Sequence, residues 1–204
     1  MMGVDTDIVI GVLALQGDVR EHIEAVQKAG AKAVPVKTRE EIESVDGLII
    51  PGGESTTVGK LLDRFGLMDV VRRMPGECKP IFGTCTGMIL LAKEIENSAR
   101  EQPRLCLMDV TVRRNAFGRQ VDSFEEDIPV KGIDGPVRAV FIRAPFVTEI
   151  KPGVEVLAEY QGHPILVREG HLLAAAFHPE LTDDVRVHKL FIEMVKEAKK
   201  HCSS

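Results

Sequence analysis

The sequence predicts an α/β fold, in which an open, mostly parallel sheet flanked by helices carries an antiparallel β extension in the second half. Two observations support this prediction. In the first half, short β-branched apolar runs alternate with segments of helical periodicity, which is the pattern of parallel strands joined by helical crossovers. In the second half, strand-like segments follow one another across turns. The 204 residues are enough for one domain.

The first half predicts four strands with helices between them. The strands are expected at residues 8–14, 31–36, 47–50 and 79–82. Apolar residues recur at helical spacing from Val19 to Val26 and from Val58 to Phe65, and the run from Met88 to Ala92 predicts the start of a further helix. Thr38 and Glu41 have the spacing of a capping box, which predicts a short helix after the second strand.

The second half predicts five strands and an amphipathic helix. The strands are expected at residues 105–113, 137–142, 154–160, 164–168 and 172–177, with turns between them. From Val187 to Ala198, apolar residues follow the i, i+3, i+4, i+7 spacing of one helix face. This segment is therefore expected to pack as a helix against the sheet.

Composition and charge exclude several classes of protein. With 26 basic and 31 acidic residues the net charge is −5, so the basic surface of a nucleic-acid-binding protein is absent. The longest apolar runs, 8–15 and 172–177, are far shorter than the ~20 residues of a membrane helix. Residues 1–7 do not resemble a signal peptide, so we expect a cytoplasmic protein. All four cysteines are expected to be reduced thiols, and no metal site is expected.

Cys85 lies at the centre of a nucleophile elbow. Residues 83–87 are Gly-Thr-Cys-Thr-Gly, between a predicted strand and a predicted helix. In such a turn the two glycines let backbone segments approach where a Cβ would clash, and the central side chain is held at the corner. A helix N-terminus beside a thiol favours the thiolate. The alternative is that Cys85 is a small buried apolar residue.

His178 and Glu180 supply a candidate base and its orienting carboxylate. They follow the last predicted strand in the string His-Pro-Glu. In an extended backbone, residues i and i+2 project to the same face, so the carboxylate could fix one ring nitrogen and leave the other for the thiol. Pro179 is expected to keep this segment from coiling into a helix. A surface turn is the alternative, and no role is predicted for the other five histidines.

The loop after the third strand is a candidate oxyanion site. Residues 51–55 are Pro-Gly-Gly-Glu-Ser, and a Gly-Gly turn can present backbone N–H groups to an anion. The loop is not a phosphate-binding P-loop, because one residue too many precedes Gly59 and Leu61 replaces the required Ser or Thr. An ordinary loop is the alternative. All three motifs follow strands, where open α/β sheets place their sites, and the loop at Gln16-Gly17 is expected at the same edge.

Together, the elbow cysteine, the His-Pro-Glu string and the Pro-Gly-Gly string resemble a class I, triad-type glutamine amidotransferase. Longer strings resemble, more specifically, the glutaminase subunit of pyridoxal 5′-phosphate synthase. These strings lie at residues 11–22, 51–57, 114–124, 141–145 and 177–182, and the resemblance extends from about residue 8 to residue 195. It implies a single glutamine amidotransferase domain over residues 1–204.

The resemblance implies hydrolysis of L-glutamine to glutamate and ammonia. The ammonia would pass to a separate synthase subunit, in a hetero-oligomeric complex that builds pyridoxal 5′-phosphate. Matching positions imply Cys85 as the nucleophile, His178 as base and then acid, and Glu180 as the group that orients His178, with no cofactor or metal. The implied oxyanion donors are the N–H groups of Gly53 and Thr86. The positions implied for glutamine binding are Gly53, Glu54, Ser55, Arg114, Ile142 and Arg143.

One position departs from the family pattern, and two alternative functions remain. The family usually has alanine after the nucleophile, whereas Thr86 adds a β-branched side chain and a hydroxyl near the thiol. The glutaminase could serve another synthase, such as the histidine-pathway one, although the string at 114–124 argues against it. The chain could also be a catalytically silent docking module, although the intact Cys85, His178 and Glu180 argue against that.

Overall fold

A computed structural model describes residues 5–96, 102–114 and 123–202, so most of the string at 114–124 lies outside the described residues. The strands in these ranges are β1 (Asp5–Leu13), β2 (Ala31–Val36), β3 (Gly47–Ile50), β4 (Ile81–Thr84), β5 (Ala92–Ile95), β6 (Met108–Arg113), β7 (Ser123–Ile128), β8 (Val137–Ile142), β9 (Phe146–Ile150), β10 (Glu155–Tyr160), β11 (His163–Glu169) and β12 (Leu172–Ala175). The helices are α1 (Val19–Lys28), α2 (Arg39–Ser44), α3 (Ser55–Arg64), α4 (Met68–Arg73), α5 (Thr86–Leu91) and α6 (Arg186–Cys202). Two 3₁₀ turns lie at Pro75–Glu77 and Pro179–Leu181.

A seven-stranded sheet forms the centre of the fold, in the order β10-β11-β12-β4-β3-β1-β2. The five strands from β12 to β2 pair in parallel, while β10, β11 and β12 pair antiparallel. The predicted parallel sheet with an antiparallel extension is confirmed. Because β1, β3, β4 and β12 run in one direction, the segments that follow them leave the sheet at one edge. The three predicted motifs and the Gln16-Gly17 loop are these segments.

The helices pack on the sheet through their apolar stripes. α1 contacts α6, and α3 contacts α5. As its spacing predicts, α6 buries Val187, Phe191 and Val195. Burying one large apolar side chain stabilises the fold by roughly 1.5–3 kcal/mol. The largest fully buried side chains include Phe82, Phe141, Phe177, Phe191, Ile10, Leu13, Ile42 and Leu48. Within the described ranges, no helix is long and apolar enough to span a bilayer.

Two smaller sheets, β5-β6-β9 and β7-β8, flank the larger one in the described part of the chain. The sequence predicts none of β5, β7 and β9. The helix expected through Ala92 ends at Leu91. β5 begins at Ala92 and pairs in parallel with β6. β7 is largely exposed, so it lacks an apolar alternation that would reveal it. Its acidic side chains at Glu125 and Asp127 instead pair across the strands with Arg138 of β8.

Cys78 and Cys202 form a disulfide, so the expectation of four reduced thiols is wrong for this pair. Cys78 follows the first 3₁₀ turn with left-handed backbone torsions, and Cys202 is the last residue of α6. Their Cα atoms lie 6.4 Å apart, although 124 residues separate them along the chain. Cysteine spacing cannot reveal this pair, because only the packing of α6 brings the two residues together. Cys85 and Cys106 carry free thiols.

Thr38 caps α2, as its spacing to Glu41 predicts. Its hydroxyl accepts the Glu41 N–H at 3.2 Å and donates to Oε1 of the same residue at 3.0 Å. We predict that Thr38→Ala lowers the free energy of unfolding by about 1 kcal/mol, because an N–H of the first turn loses its acceptor. Thr38→Ser keeps the hydroxyl and is the matched control. Urea unfolding followed by circular dichroism measures both variants, and equal stabilities would contradict the capping role.

Candidate active site

The nucleophile elbow forms between β4 and α5, where the sequence predicts it. Cys85 has a φ of 53° and a ψ of −108°, a strained conformation that holds its side chain at the corner. A Cβ on Gly83 would lie 2.6 Å from the carbonyl carbon of Gly87, and one on Gly87 would lie 2.5 Å from the carbonyl oxygen of Ile50. Both glycines are therefore needed for this close backbone approach. The buried thiol lies 3.7 Å from the carbonyl oxygen of Ile142, to which it can donate.

His178 and Glu180 are in contact, as predicted, but the backbone between them is not extended. Nδ1 of His178 lies 2.8 Å from Oε1 of Glu180. The Pro179–Leu181 segment forms a 3₁₀ turn, so the expectation that proline prevents coiling is wrong here. Proline is compatible with the first position of a helical turn, because the N–H that it lacks would have no partner there. The turn brings the two side chains together as effectively as an extended segment would.

The imidazole of His178 interacts with both the carboxylate and the thiol. Burial lowers the pKa of His178, but its hydrogen bonds to Cys85 and Glu180 and the charges of these groups outweigh burial and raise the pKa to about 10. Burial raises the pKa of Glu180, and the hydrogen bond from His178 opposes that shift. Asp18, which sequence reasoning does not identify, places Oδ2 3.6 Å from the same Nδ1. Nε2 is left for the thiol, and the surroundings favour an imidazolium beside the nucleophile.

A buried histidine pair extends the site beyond the predicted residues. Nε2 of His22 lies 3.1 Å from the Thr84 hydroxyl and 3.4 Å from Oε2 of Glu180, and its Nδ1 lies 3.0 Å from Nε2 of His188. Burial lowers the pKa of both rings, to about 4 for His188, so both are neutral near pH 7. A proton on Nε2 of His22 is donated to the Thr84 hydroxyl, which leaves Nδ1 to accept from His188.

The sequence contains a signal for these two histidines. His22 follows Val19 by three positions and precedes Val26 by four, so it lies on the apolar stripe of α1. His188 adjoins Val187 on the buried face of α6. A polar ring on an apolar stripe must find a partner inside the core. Spacing alone does not say that the partner is the carboxylate of a catalytic motif.

The Gly52–Gly53 peptide lies between the elbow and the loop after β1, as the sequence predicts. The N–H of Gly53 donates to the Thr86 hydroxyl at 2.7 Å. On its other side, the Gly52 carbonyl oxygen approaches Gly17 so closely that a Cβ there would lie 1.7 Å from it. The N–H side of this peptide therefore faces the elbow, and its carbonyl side faces the loop.

Glu54 connects this loop to α3. Its carboxylate caps the helix by accepting the N–H groups of Thr56 at 3.1 Å and Thr57 at 2.7 Å. The hydrogen bond from the Thr57 hydroxyl lowers the pKa of Glu54. The N–H of Glu54 donates to Oε1 of the exposed Gln16 at 2.7 Å. The loop after β1 thus holds the residue that follows the Gly-Gly peptide.

The predicted residues border one cavity of about 460 Å³. Arg114 lines it and donates from Nη2 to Oε1 of Gln102 at 2.6 Å. Burial lowers the pKa of Arg114, while the nearby charge of Glu54 opposes that shift. Glu180 lies behind His178 and does not line the cavity. The other predicted residues that line it are Gly53, Glu54, Ser55, Cys85, Thr86, Ile142, Arg143 and His178.

We predict that Glu180→Gln lowers the pKa of His178, because the charge and the hydrogen bond that raise it are weakened. The imidazolium then loses its proton at a lower pH. In the pH profile of Cys85 alkylation by iodoacetamide, the step at which His178 loses its proton is expected to move from about pH 10 to a lower pH, by roughly 1–3 pH units, the effect of one nearby opposite charge.

The alkylation rate is measured against pH by peptide mass spectrometry, which separates Cys85 from the exposed Cys106. Glu159→Gln, at an exposed position of β10, is the matched control. A pH profile of Glu180→Gln identical to that of the unaltered chain would contradict this role of Glu180.

A family model and two relatives of this chain indicate the same family. The model of the SNO glutamine amidotransferase family matches residues 12–197. A protein named pyridoxal 5′-phosphate synthase subunit PdxT, from Niallia circulans, is 55% identical over 190 residues, which cover 93% of this chain and 99% of that protein. The subunit of the same name from Mycolicibacterium vanbaalenii is 58% identical over 186 residues, which cover 90% of this chain and 95% of that protein.

Solved structures agree with these sequence matches. A crystal structure of a glutamine amidotransferase, 52% identical, superposes with a TM-score of 0.87 over 92% of this chain and 98% of its own. A putative GMP synthase subunit from Thermoplasma acidophilum, 17% identical, has a TM-score of 0.69 over 97% of this chain and 98% of its own, and supports the fold alone. This chain belongs to the SNO glutamine amidotransferase family.

Proposed function

We propose that this chain hydrolyses L-glutamine to L-glutamate and ammonia and supplies the ammonia to the synthase subunit of pyridoxal 5′-phosphate synthase. Cys85 is the nucleophile, His178 is base and then acid, and Glu180 orients His178. The observation that carries this proposal is the 2.8 Å contact from His178 to Glu180, in a ring that also hydrogen-bonds the elbow cysteine. A thiol, an imidazole and a carboxylate in contact in this order form a catalytic triad of the kind that performs acyl transfer.

The first half of the reaction forms a thioester. His178 acts as base by holding the proton of the thiol, in the imidazolium form that its raised pKa favours, and the thiolate of Cys85 attacks the side-chain carbonyl carbon of glutamine. The carbonyl oxygen becomes an oxyanion beside the N–H groups of Thr86 and Gly53, which stabilise the charge. The imidazolium of His178 then donates its proton to the leaving nitrogen, the C–N bond breaks, and ammonia departs.

The second half of the reaction regenerates the thiol. Water attacks the thioester carbonyl carbon while neutral His178 accepts a proton from it. The carbon–sulfur bond breaks, the sulfur recovers its proton, and glutamate leaves. Throughout, Glu180 holds Nδ1 of the ring, so that the same Nε2 serves as base and acid in turn.

The cavity offers groups that complement the charged end of glutamine. The guanidinium groups of Arg114 and Arg143 suit its α-carboxylate, and the carboxylate of Glu54 suits its α-ammonium. Ser55 and Ile142 border the remaining space beside Gly53, whose neighbouring peptide faces the elbow. At about 460 Å³, the cavity falls in the size range of small-molecule sites.

The partner is a separate synthase subunit in a hetero-oligomeric complex. Ammonia that is released into bulk water is diluted before it reaches a separate enzyme, so the synthase must receive it directly within a complex. The names of the relatives favour pyridoxal 5′-phosphate synthase over the histidine-pathway synthase. The chain acts as one glutamine amidotransferase domain over residues 1–204. A cytoplasmic location fits the Cys85 thiol, which must stay reduced to act as nucleophile, whereas the Cys78–Cys202 disulfide is unusual in that compartment.

We predict that Cys85→Ala abolishes glutamine hydrolysis, because the acyl intermediate loses its sulfur. Alanine fits the same space, so the thermal unfolding midpoint is expected to stay close to that of the unaltered chain. Glutamate release is measured in the complex with the synthase subunit, and Cys106→Ala, at an exposed free thiol, is the control. Turnover by Cys85→Ala at the unaltered rate would show that the nucleophile lies elsewhere. Absence of turnover in the unaltered complex would favour a silent docking module.

We also predict that the lone chain is a poor glutaminase and that the synthase subunit activates it. The peptide between Gly52 and Gly53 can turn either its N–H or its carbonyl toward the elbow, and only the N–H stabilises the oxyanion. The loop at Gln16-Gly17 contacts both this peptide and the residue that follows it, and Gln16 is exposed to a docking partner. In the structure the N–H faces the elbow, and docking at this loop holds the peptide in that orientation.

The loss of one oxyanion donor costs on the order of 10² to 10³ in rate, so an activation of this size is expected. Steady-state kinetics compare the lone chain with the reconstituted complex at the same glutamine concentrations. Full activity of the lone chain, unchanged when the synthase subunit is added, would defeat the activation proposal. That outcome would leave the roles of Cys85 and His178 untouched.

A further inference from the structure

The Thr86 hydroxyl is bound to the Gly53 N–H, the group that the proposed function assigns to the substrate oxyanion. The two groups are hydrogen-bonded at 2.7 Å, with the N–H as donor. We infer that the Thr86 hydroxyl is itself an oxyanion donor, which contacts the substrate oxyanion together with the N–H of the same residue. In this arrangement the Gly53 N–H holds the hydroxyl oxygen. The inference rests on the proposed glutaminase activity and revises its oxyanion site, because the Thr86 hydroxyl takes the place of the Gly53 N–H as the direct donor.

The Gly53 N–H is already committed to the hydroxyl. One N–H makes one strong, nearly linear hydrogen bond, and 2.7 Å is at the short end of the range for N–H to oxygen. An oxyanion that approached the same N–H would have to displace the hydroxyl or accept a bent and weaker bond. A direct contact to the hydroxyl requires neither change.

The hydroxyl proton is available for the substrate. A threonine hydroxyl has one O–H donor and two lone pairs, and the Gly53 N–H uses only one lone pair. Thr86 makes no hydrogen bond as an O–H donor to any residue in the described ranges. Its side chain is half-buried and lines the cavity next to Cys85. The O–H can therefore turn toward the carbon that Cys85 attacks.

Electrostatics favours the hydroxyl as the direct donor. Donation from the Gly53 N–H into the hydroxyl oxygen polarises the O–H bond and makes it a better donor. The interaction strengthens as negative charge develops on the substrate oxygen, which is the requirement for lowering the barrier rather than tightening substrate binding. The proton stays on Oγ1 throughout, so the step involves no proton transfer and no bond is broken at Thr86.

The test compares variants that keep or remove the hydroxyl. Thr86→Val keeps the branched shape without the O–H, and its kcat in the complex with the synthase subunit is expected to fall by about 10²-fold with little change in KM. Thr86→Ser keeps the O–H, and its kcat is expected to fall far less. Thr111→Val, which removes a hydroxyl outside the residues that line the cavity, is the matched control.

Alkylation by iodoacetamide separates loss of the donor from damage to the elbow. Attack on its saturated carbon develops no oxyanion, so the alkylation rate of Cys85 in Thr86→Val is expected to match that of the unaltered chain. If valine slows alkylation, Thr86→Ser and Thr86→Ala are compared instead, because neither of these side chains is branched. The serine variant keeps the hydroxyl, so its kcat is expected to be about 10²-fold higher than that of the alanine variant.

Two results separate this inference from the proposed function. If Thr86→Val turned over glutamine as fast as the unaltered chain or faster, while Cys85→Ala stayed inactive, the hydroxyl would not be a donor and the glutaminase assignment would stand. A faster Thr86→Val would mean that the hydroxyl blocks the Gly53 N–H. Turnover by Cys85→Ala would instead remove the proposed function itself.

Discussion

The carboxylate of Glu180 is buried behind the His178 ring, and the groups around it hold a charge away from water. Such burial costs several kcal/mol unless the charge is well paired. Oε1 contacts Nδ1 of His178 at 2.8 Å, whereas Oε2 lies 3.4 Å from His22 and has no hydrogen bond within the described part of the chain. The folded state therefore keeps an incompletely paired negative charge beside His178. This costs stability, and it favours the imidazolium form of His178.

The parallel sheet explains why these groups meet although they are far apart in the chain. Ala175 of β12 pairs with Thr84 of β4, and the N–H of Cys85 donates to the Ala175 carbonyl at 2.7 Å. Cys85 thus continues the ladder of the strand that leads to His178. The N–H of His178 in turn donates to the Val140 carbonyl at 2.7 Å, which fixes the backbone of His178 against β8. Regular backbone pairing, and not side-chain contact alone, sets the spacing of the site.

The parts of the site that could be predicted from sequence are those that a short string specifies by itself. The glycines around Cys85 are an example, because they are needed for backbone contacts within one turn. Pro179 is compatible with two backbone geometries, so the 3₁₀ turn after His178 could not be predicted. Contacts between distant segments, such as the Cys78–Cys202 disulfide and the bond between Gly53 and Thr86, depend on tertiary packing that no local pattern records.

The two buried histidines, His22 and His188, lie on the Glu180 side of the site without competing with the His178 ring for the charge of Glu180. A protonated His22 would place a second cation beside the carboxylate and weaken its effect on His178. Burial lowers the pKa of His22 and lowers that of His188 to about 4, so both rings stay neutral where His178 is charged. Nδ1 of His188 has no hydrogen-bond partner among the described residues, and a buried nitrogen without a partner holds a proton only at high cost. The charge of Glu180 therefore acts on one cation, and the acid strength of the site is set at His178.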